Sequence, residues 1–279
     1  MEEAFNQDVL LEIDSQGVAT LTLNRIEKHN AFDDQLITTL IRHLKSLAHN
    51  DSIRCLVLTA NGKHFSSGAD LHWMRSMASK SPTANLADAK QLAQLMSNLD
   101  QFPHPTLAVI HGCAFGGALG LICCCDITIA EPSAQFCFSE VKLGLIPATI
   151  GPYVCRAIGI RQARRYMLTA ERIPSNEAHS LGLIHHLVED TEVVLNQQVT
   201  QILSNSPNAL TLAKQLCQLC ESGVIDHDIV NQTSKMIADI RASCEGQEGL
   251  NAYFERRSPS WIVKSPSDEG GNNEDNSHE

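Results

Sequence analysis

The chain reads Gly112-Cys-Ala-Phe-Gly-Gly-Ala-Leu-Gly-Leu-Ile-Cys-Cys-Cys-Asp126 directly after the strand-like run Thr106–Ile110, so it joins a glycine-rich turn to an apolar helix start. The start of a helix leaves backbone N–H groups without partners and carries the positive end of the helix dipole. Negative charge that develops on an oxygen there is stabilised without a charged side chain. The stretch therefore predicts oxyanion or enolate chemistry at the helix that begins near Gly117.

A second glycine turn lies upstream. It reads His64-Phe-Ser-Ser-Gly-Ala-Asp-Leu71 and stands between a β-rich segment, residues 53–59, and another helical pattern. Either turn alone is typical of an ordinary tight turn. Together, in this order, they predict that backbone donors from two separate loops converge on one oxygen.

The surrounding sequence alternates strands with helices. Val9–Ile13 and Val18–Leu23 are short apolar runs on either side of a glycine turn, which predicts a hairpin. Asp33 can cap an amphipathic helix whose apolar residues recur over residues 36–48. Further predicted elements are a helix over 85–99 and strands over 126–130 and 135–138. This alternation predicts an α/β spiral.

Helical patterns dominate from Thr200 onward, with helices predicted over residues 209–217 and 225–242. We therefore expect a core that carries the active site over residues 1–199 and a helical region over residues 200–264. Residues 265–279 lack apolar content and are rich in acid, Gly and Asn, which predicts a disordered tail.

The composition excludes several classes of protein. With 279 residues, 43% of them hydrophobic, the chain can bury a large core. A net charge of −11 argues against nucleic acid as a partner, which requires clustered Lys and Arg. No apolar run approaches the roughly 20 residues that span a bilayer. The acidic start Met1-Glu-Glu lacks the basic and apolar regions of a signal peptide, so we expect a cytoplasmic protein with no membrane partner.

The ten cysteines predict neither a disulfide framework nor a metal site. Cys123, Cys124 and Cys125 are adjacent in an apolar run, where reduced thiols that serve in packing are expected. Cys217 and Cys220 have the spacing of metal ligands, but no second pair of Cys or His residues follows them. We expect no metal.

Four ordered motifs make nearly the whole chain similar to the enoyl-CoA hydratase/isomerase, or crotonase, superfamily. They are residues 24–31, the two glycine turns, Phe138-Ser-Glu-Val-Lys-Leu-Gly-Leu-Ile-Pro147, and residues 249–257. Within them, residues 68–74 and 146–153 resemble most closely the bacterial methylglutaconyl-CoA hydratase branch of leucine breakdown.

The resemblance implies a core built as a spiral of ββα units, followed by a C-terminal helical region that drives trimer assembly. The expected assembly is a homotrimer or a dimer of trimers. The expected substrate is an acyl-CoA thioester, and coenzyme A enters as part of that substrate. No metal or redox cofactor is needed for the implied reaction.

The resemblance also assigns the chemistry to three positions. It places the oxyanion donors at the N–H groups of Ser67 and Gly117, and at Gly117 the missing Cβ permits close approach of a ligand. Glu140 matches the second of the two glutamates that many family hydratases use, and is the expected general acid and base. Where those hydratases carry their first glutamate, this chain has Gly120. The family's isomerases also retain only the second position.

Binding residues follow from the same resemblance. The implied CoA and substrate contacts are Lys28, His29, Ala31, Ser67, Ala69, Asp70, Leu71, Gly116 and Gly117. The candidate acyl-pocket residues are His72, Trp73, Arg75, Gly120 and Pro147. Asp70 is equally explained as a cap for the following helix, and Lys28 as a solvated surface lysine. Ordinary helix packing and exposure also account for His72, Trp73 and Arg75.

Three functional hypotheses follow from the sequence. The first is a hydratase that adds water to a short, branched or carboxylated enoyl-CoA, with 3-methylglutaconyl-CoA of leucine degradation as the leading candidate. The second is a Δ3,Δ2-enoyl-CoA isomerase that uses a single glutamate, motivated by Gly120. The third is a non-catalytic acyl-CoA- or RNA-binding member, which the low Lys and Arg content does not support.

Overall fold

The chain forms a mixed α/β structure in two units. The computed structural model describes residues 7–77 and 79–262. A first unit ends at Thr200 and a second begins at Gln201. The predicted acidic tail, residues 265–279, lies outside the described residues.

Two sheets, with nine strands among the described residues, belong to the first unit. The strands are β1 (Val9–Ile13), β2 (Val18–Leu23), β3 (Cys55–Ala60), β4 (Thr106–Ile110), β5 (Cys113–Phe115), β6 (Ile127–Ala130), β7 (Gln135–Cys137), β8 (Ile173–Pro174) and β9 (His186–Leu187). The larger sheet has the order β1-β2-β3-β4-β6-β9 and the smaller one β5-β7-β8. The predicted hairpin of β1 and β2 is confirmed as antiparallel, and the neighbours from β2 to β9 run parallel.

Eleven α-helices lie in the described part of the chain. They are α1 (Asp34–Ala48), α2 (Leu71–Met77), α3 (Pro82–Asp100), α4 (Gly117–Cys124), α5 (Gly151–Ile158), α6 (Ile160–Thr169), α7 (Ser175–Ser180), α8 (Thr191–Ser204), α9 (Pro207–Leu219), α10 (His227–Ala242) and α11 (Cys244–Glu255). The helix predicted over residues 85–99 begins earlier, because Ser81 caps it and Pro82 occupies its first turn.

Apolar side chains at helical spacing build the core of the first unit. Asp33 Oδ1 accepts a hydrogen bond from Leu36 N at 2.9 Å and caps α1, as predicted. Leu36, Leu40 and Leu44 are at most 3% exposed. Burial of each leucine contributes about 1.5–3 kcal/mol. Helix α4 is also buried along nearly its whole length, which fixes the position of its first turn.

The second unit is helical from residue 201 to the end of α11. Ser206 caps α9, and Trp261 Nε1 donates a hydrogen bond to Ser204 O at 3.1 Å. This unit also exposes large apolar side chains: Ile225, Tyr253 and Phe254.

Residues 7–77 and 79–262 contain no helix with the length and apolarity that crossing a membrane takes. Over the same residues, no group of three or more His, Cys, Asp or Glu side chains is arranged to hold a metal ion. Burial raises the pKa of the Cys123 thiol to about 12, which keeps this side chain a neutral packing group.

Candidate active site

The two glycine turns lie side by side, as the sequence predicts. Ser66 of the first turn (residues 66–69) and Ala114 form a parallel bridge. Ser66 N donates to Cys113 O at 3.0 Å, and Phe115 N donates to Ser66 O at 3.0 Å. These bonds hold the first turn against β5, the strand that leads into the second turn (residues 115–117).

The backbone of the first turn leaves the N–H of Ala69 available. Phe32 N donates to Gly68 O at 2.7 Å, and Asp70 N donates to Phe32 O at 2.8 Å. Because these two groups of an extended segment face Phe32, the N–H between them points to the opposite side. Ala69 N–H donates to no acceptor among the described residues. Gly68 makes this turn with a φ of +96°, which glycine adopts without strain.

The second turn leaves the N–H of Gly117 available. Gly116 has a φ of +55°, and its N–H donates to Cys137 O at 3.0 Å. Gly117 begins α4, where N–H groups have no partner inside the helix, and its N–H has no acceptor in the described structure. A Cβ at this position would lie 3.1 Å from Phe32 Cδ2. Glycine therefore lets the backbone approach the Phe32 ring.

The structure corrects one of the two predicted donors. Ser67 N donates to His29 O at 2.9 Å, so this N–H is already satisfied and its assignment to the oxyanion is wrong. The available amide of the first turn belongs to Ala69, which the sequence places only among the binding residues. A sequence pattern locates the turn, but the free amide depends on how the turn pairs with the distant residues His29 and Phe32.

Ala69, Gly117 and Glu140 line the same pocket, whose volume is about 610 Å³. This volume lies within the range that is usual for small-molecule sites. The rest of the lining comes from Phe32, α2, α3 and the segment before α5, and it is mostly apolar; it includes Trp73, Met77, Leu92, Ile146 and Ile150.

Glu140 presents a carboxyl group to this pocket. It begins the short 3-10 helix Glu140–Leu143, and a Cβ built on Gly116 would lie 3.4 Å from Glu140 Oε1. The other oxygen, Oε2, is buried and accepts no hydrogen bond from the described residues. Burial raises the pKa of Glu140 above its ordinary value, opposed by a hydrogen bond from its own backbone. A raised pKa makes the protonated form of this carboxyl easier to populate, as a group that both accepts and donates a proton requires.

Two of the five candidate acyl-pocket residues, Trp73 and Pro147, do line the pocket. His72 and Arg75 are exposed on α2 and are not part of the lining. The prediction that they lie in the acyl pocket is therefore wrong. Successive helical residues point in different directions, and the sequence alone did not show which side of α2 faces the pocket.

Gly120, the fifth candidate, lies behind the pocket wall. A Cβ at this position would lie 2.3 Å from Ile150 Cγ2 and 2.7 Å from Met96 Sδ. Both distances are far shorter than a normal contact between nonbonded atoms. A glutamate therefore has no room at position 120, and the missing carboxylate is a consequence of how the core is packed.

The residues predicted to contact CoA surround the first turn. The rings of His29 and His64 pack edge to face with centroids 5.3 Å apart. Lys28 and Leu71 are exposed, whereas Ala31 is buried. Their contact with CoA stays a prediction.

Asp70 caps α2, which confirms one of its two interpretations. Its Oδ1 accepts hydrogen bonds from His72 N at 2.8 Å and Trp73 N at 3.2 Å. Burial favours the neutral acid, but the amide donors and the nearby Arg25 hold the pKa of Asp70 below its ordinary value. The carboxylate is therefore part of the support of the first turn.

Arg25 is a supporting residue that the sequence did not single out. Its guanidinium donates to Ala31 O at 2.6 Å and pairs with Asp33 at 2.7 Å and Asp70 at 3.4 Å. The side chain is only 15% exposed. It thus joins the cap of α1, the cap of α2 and the backbone that precedes Phe32. Nothing local marks this role, because Asp70 lies 45 residues further along the chain.

Comparison with known proteins agrees with this geometry. The family model for enoyl-CoA hydratase/isomerase matches residues 14–264. A crystal structure of an enoyl-CoA hydratase from Shewanella pealeana is 52% identical, with a TM-score of 0.89 over 91% of this chain and 96% of that one. Two Escherichia coli proteins are also similar. The 2,3-dehydroadipyl-CoA hydratase is 30% identical over 88% of this chain and 95% of its own length. The 1,2-epoxyphenylacetyl-CoA isomerase is 32% identical over 89% of this chain and 96% of its own length.

Proposed function

We propose that this chain, which belongs to the enoyl-CoA hydratase/isomerase family and has the crotonase fold, adds water to a short, branched or carboxylated enoyl-CoA. One observation carries the proposal. Glu140 Oε2 is buried without a hydrogen-bond partner among the described residues, and Glu140 lines the same pocket as Ala69 and Gly117. That pocket offers two free backbone donors and one carboxyl of raised pKa.

The two free amides suit the thioester oxygen. When water adds to the β-carbon of an enoyl thioester, the electron pair of the double bond moves toward the carbonyl oxygen, which becomes an enolate. The N–H groups of Ala69 and Gly117 would donate to that oxygen. Loss of one such donor in other enzymes costs about 2.7–4 kcal/mol of transition-state stabilisation.

Glu140 would carry the proton. As a carboxylate it takes one proton from the water whose oxygen bonds to the β-carbon, and as an acid it gives that proton to the α-carbon. Burial raises the pKa of Glu140, and this favours the second step, in which the acid gives up the proton. The cycle consumes one water and needs no cofactor beyond the CoA of the substrate.

The acyl group is proposed to be short and branched, with 3-methylglutaconyl-CoA as the first substrate to test. The sequences of residues 68–74 and 146–153, which resemble the methylglutaconyl-CoA hydratase branch, support this choice. The described lining includes the carboxylate Asp88, which pairs with Lys80, and it includes no Lys or Arg. Asp88 would repel the distal carboxylate of 3-methylglutaconyl-CoA. An uncharged branched enoyl-CoA of the same length is therefore the substrate to assay beside it.

Double-bond isomerisation is the second candidate, because position 120 cannot hold a second carboxylate. Ile150 and Met96 occupy the space that a side chain there would need. One glutamate suffices to move a proton between the α- and γ-carbons of an enoyl thioester. The same oxyanion donors would serve that reaction.

Mass spectrometry of the products tests the two candidates. Purified enzyme is incubated with 3-methylglutaconyl-CoA, crotonyl-CoA and a 3-enoyl-CoA. Hydration adds the mass of one water, whereas isomerisation leaves the mass unchanged and moves the double bond. A 3-enoyl-CoA that is converted while no 2-enoyl-CoA gains water would replace the hydratase proposal with the isomerase.

Glu140→Gln tests the assigned proton carrier. We expect turnover to fall about 10²- to 10⁴-fold while CoA-ester binding is retained. Glu12→Gln, on an exposed position of β1, is the matched control and should be as active as the unchanged enzyme. Near-normal turnover of Glu140→Gln would remove Glu140 from this role.

The assembly is proposed to be a homotrimer or a dimer of trimers in the cytoplasm. Exposed apolar side chains in the second unit, 76–85% exposed at Ile225, Tyr253 and Phe254, support burial against other copies of the chain. Native mass spectrometry should give three or six copies; a monomer at micromolar concentration would contradict the proposal.

A further inference from the structure

Trp73 carries a buried donor that the mechanism above does not use. Its Nε1 is buried and has no acceptor among the described residues, although Trp73 lines the pocket. Trp261, the other tryptophan, donates its Nε1–H to Ser204 O at 3.1 Å. The indole N–H of Trp261, which is not among the pocket-lining residues, is thus satisfied, whereas that of Trp73 is not.

An unsatisfied buried donor is costly. A buried polar group that has no hydrogen bond destabilises the fold, and a buried tryptophan N–H usually has an acceptor. Such exceptions often occur where a ligand supplies the partner. The pocket wall is where a ligand would reach Trp73.

The same wall holds one unsatisfied acceptor. Glu140 Oε2 is buried without a donor among the described residues. A water molecule can receive a hydrogen bond from an N–H and donate one to a carboxylate at the same time, so it can bridge groups that are too far apart for direct contact. Trp73 and Glu140 line the same pocket, and they bring to it one donor and one acceptor that have no partner among the described residues.

When a single carboxylate carries out hydration, the attacking water has no second hydrogen-bonding group on the protein to orient it. Glu140 can accept one hydrogen bond from the water, but the water must also be oriented so that its oxygen faces the β-carbon. The packing of Ile150 and Met96 against Gly120 leaves no space for a second carboxylate there. Some other group has to orient the water.

We propose that the Nε1–H of Trp73 donates a hydrogen bond to the water that adds to the substrate, and so takes the orienting role. One lone pair of the water accepts from Trp73 and another attacks the β-carbon. The water's O–H bond breaks toward Glu140, the C–O bond forms, and the double-bond electrons move to the thioester oxygen. Glu140 then returns the proton to the α-carbon. This inference rests on the proposed hydratase function.

The test separates attack by water from proton transfer at the α-carbon. Trp73→Phe removes the donor and keeps an aromatic side chain. A closer isostere is the β-(3-benzothienyl)alanine analogue at position 73, in which sulfur replaces the N–H and the bicyclic shape is kept. Two rates are measured: hydration of the enoyl-CoA, and exchange of the α-protons of the matching saturated acyl-CoA in D2O. Exchange needs Glu140 and the two amides but no attacking water.

We expect both replacements to lower the kcat of hydration about 10- to 100-fold, the effect of losing one hydrogen bond of about 1.5–3 kcal/mol in the transition state. The exchange rate should change less than about twofold. Trp261→Phe is the matched control, and it should keep both rates, since Trp261 is not among the residues that line the pocket.

Unchanged hydration by the benzothienyl variant would overturn the inference. An equal fall in hydration and exchange would also overturn it, because Trp73 would then act only by shaping the pocket. If the unmodified enzyme exchanges α-protons and hydrates no enoyl-CoA, the hydratase proposal itself fails. That result is distinct, since it is seen before any variant is made.

Discussion

The two turns that supply the free amides are supported in opposite ways. Polar groups hold the first turn: the Ser66 hydroxyl donates to Asn30 O at 2.8 Å and accepts from Gly68 N at 3.2 Å, and Asp70 pairs with Arg25. Beyond the backbone hydrogen bonds of Phe115 and Gly116, apolar contact holds the second. Gly117 packs against the Phe32 ring, and Gly120 packs against Met96 and Ile150.

This difference in support determines which substitutions or changes in pH should displace each amide. A turn held by hydrogen bonds and charge responds to loss of one partner and to pH, since its geometry depends on few directional contacts. A turn held by close packing responds to added volume, because a packed core does not expand to accept it. The proposed oxyanion site therefore combines the Ala69 amide, which polar and charged groups position, with the Gly117 amide, which steric contact positions.

Gly120→Glu should have the largest effect, because it adds volume and charge to the apolar support. The new Cβ would lie 2.3 Å from Ile150 Cγ2, and the carboxylate would enter a buried site. We expect the free energy of unfolding to fall by more than about 3 kcal/mol, with no gain in hydration. Urea denaturation measures the change.

Gly151→Glu is the matched control for this prediction. A Cβ at Gly151 meets no atom within 4 Å in the described structure, so this variant should lose little stability. A Gly120→Glu protein as stable as the control, with faster hydration, would contradict the claim that packing excludes the first glutamate.

Ser66→Ala should have the next largest effect, because it acts on the polar support. The hydroxyl is fully buried, and its loss leaves Gly68 N and Asn30 O without that partner. We expect a loss of about 1–3 kcal/mol in unfolding free energy, together with a lower kcat. Ser52→Ala, which removes an exposed hydroxyl bonded to Asn50, should change neither by a comparable amount.

Asp70→Asn tests whether charge supports the first turn, because its effect should depend on pH. The pKa of Asp70 is held below its ordinary value of 3.8, so its carboxylate stabilises the fold at neutral pH. Asparagine can still cap α2, so removing the charge alone should cost about 0.3–1 kcal/mol at pH 7. The difference from the unchanged protein should disappear as the pH falls through the lowered pKa of Asp70. A difference that stays constant down to that pH would show that the charge does not support the turn.

Mild acid should produce the smallest effect, again in the region of the first turn. His64 Nδ1 accepts a hydrogen bond from Cys113 N at 3.1 Å, and burial, with His29 and Lys63 nearby, lowers the pKa of His64 below 6.5. The folded state thus favours the neutral ring, so stability should fall as the pH drops below about 6.5, where the unfolded chain gains the proton. The protection factor of the Cys113 amide, which corrects for the intrinsic pH dependence of exchange, should fall over this range, and His64→Gln should remove this local change.

Local patterns in the sequence predict the hairpin, the cap of α1, the two turns and the carboxyl of Glu140. They do not predict which N–H of the first turn stays free, because this depends on pairing with Phe32, more than 30 residues away in the chain. They also cannot show that Ile150 and Met96 fill the space at Gly120, since that contact joins three distant segments. Local signals thus locate the site, while tertiary contacts decide which atoms in it are available.

Infrared spectroscopy of a bound enoyl-CoA tests the central claim most directly, because a backbone donor cannot be removed by substitution of its side chain. The Glu140→Gln protein holds the substrate unreacted, and a ¹³C label at the thioester carbonyl isolates its stretching band. Donation from Ala69 and Gly117 should shift that band to lower frequency than in free substrate. A band at the frequency of the free thioester would show that the two amides do not bind the oxygen.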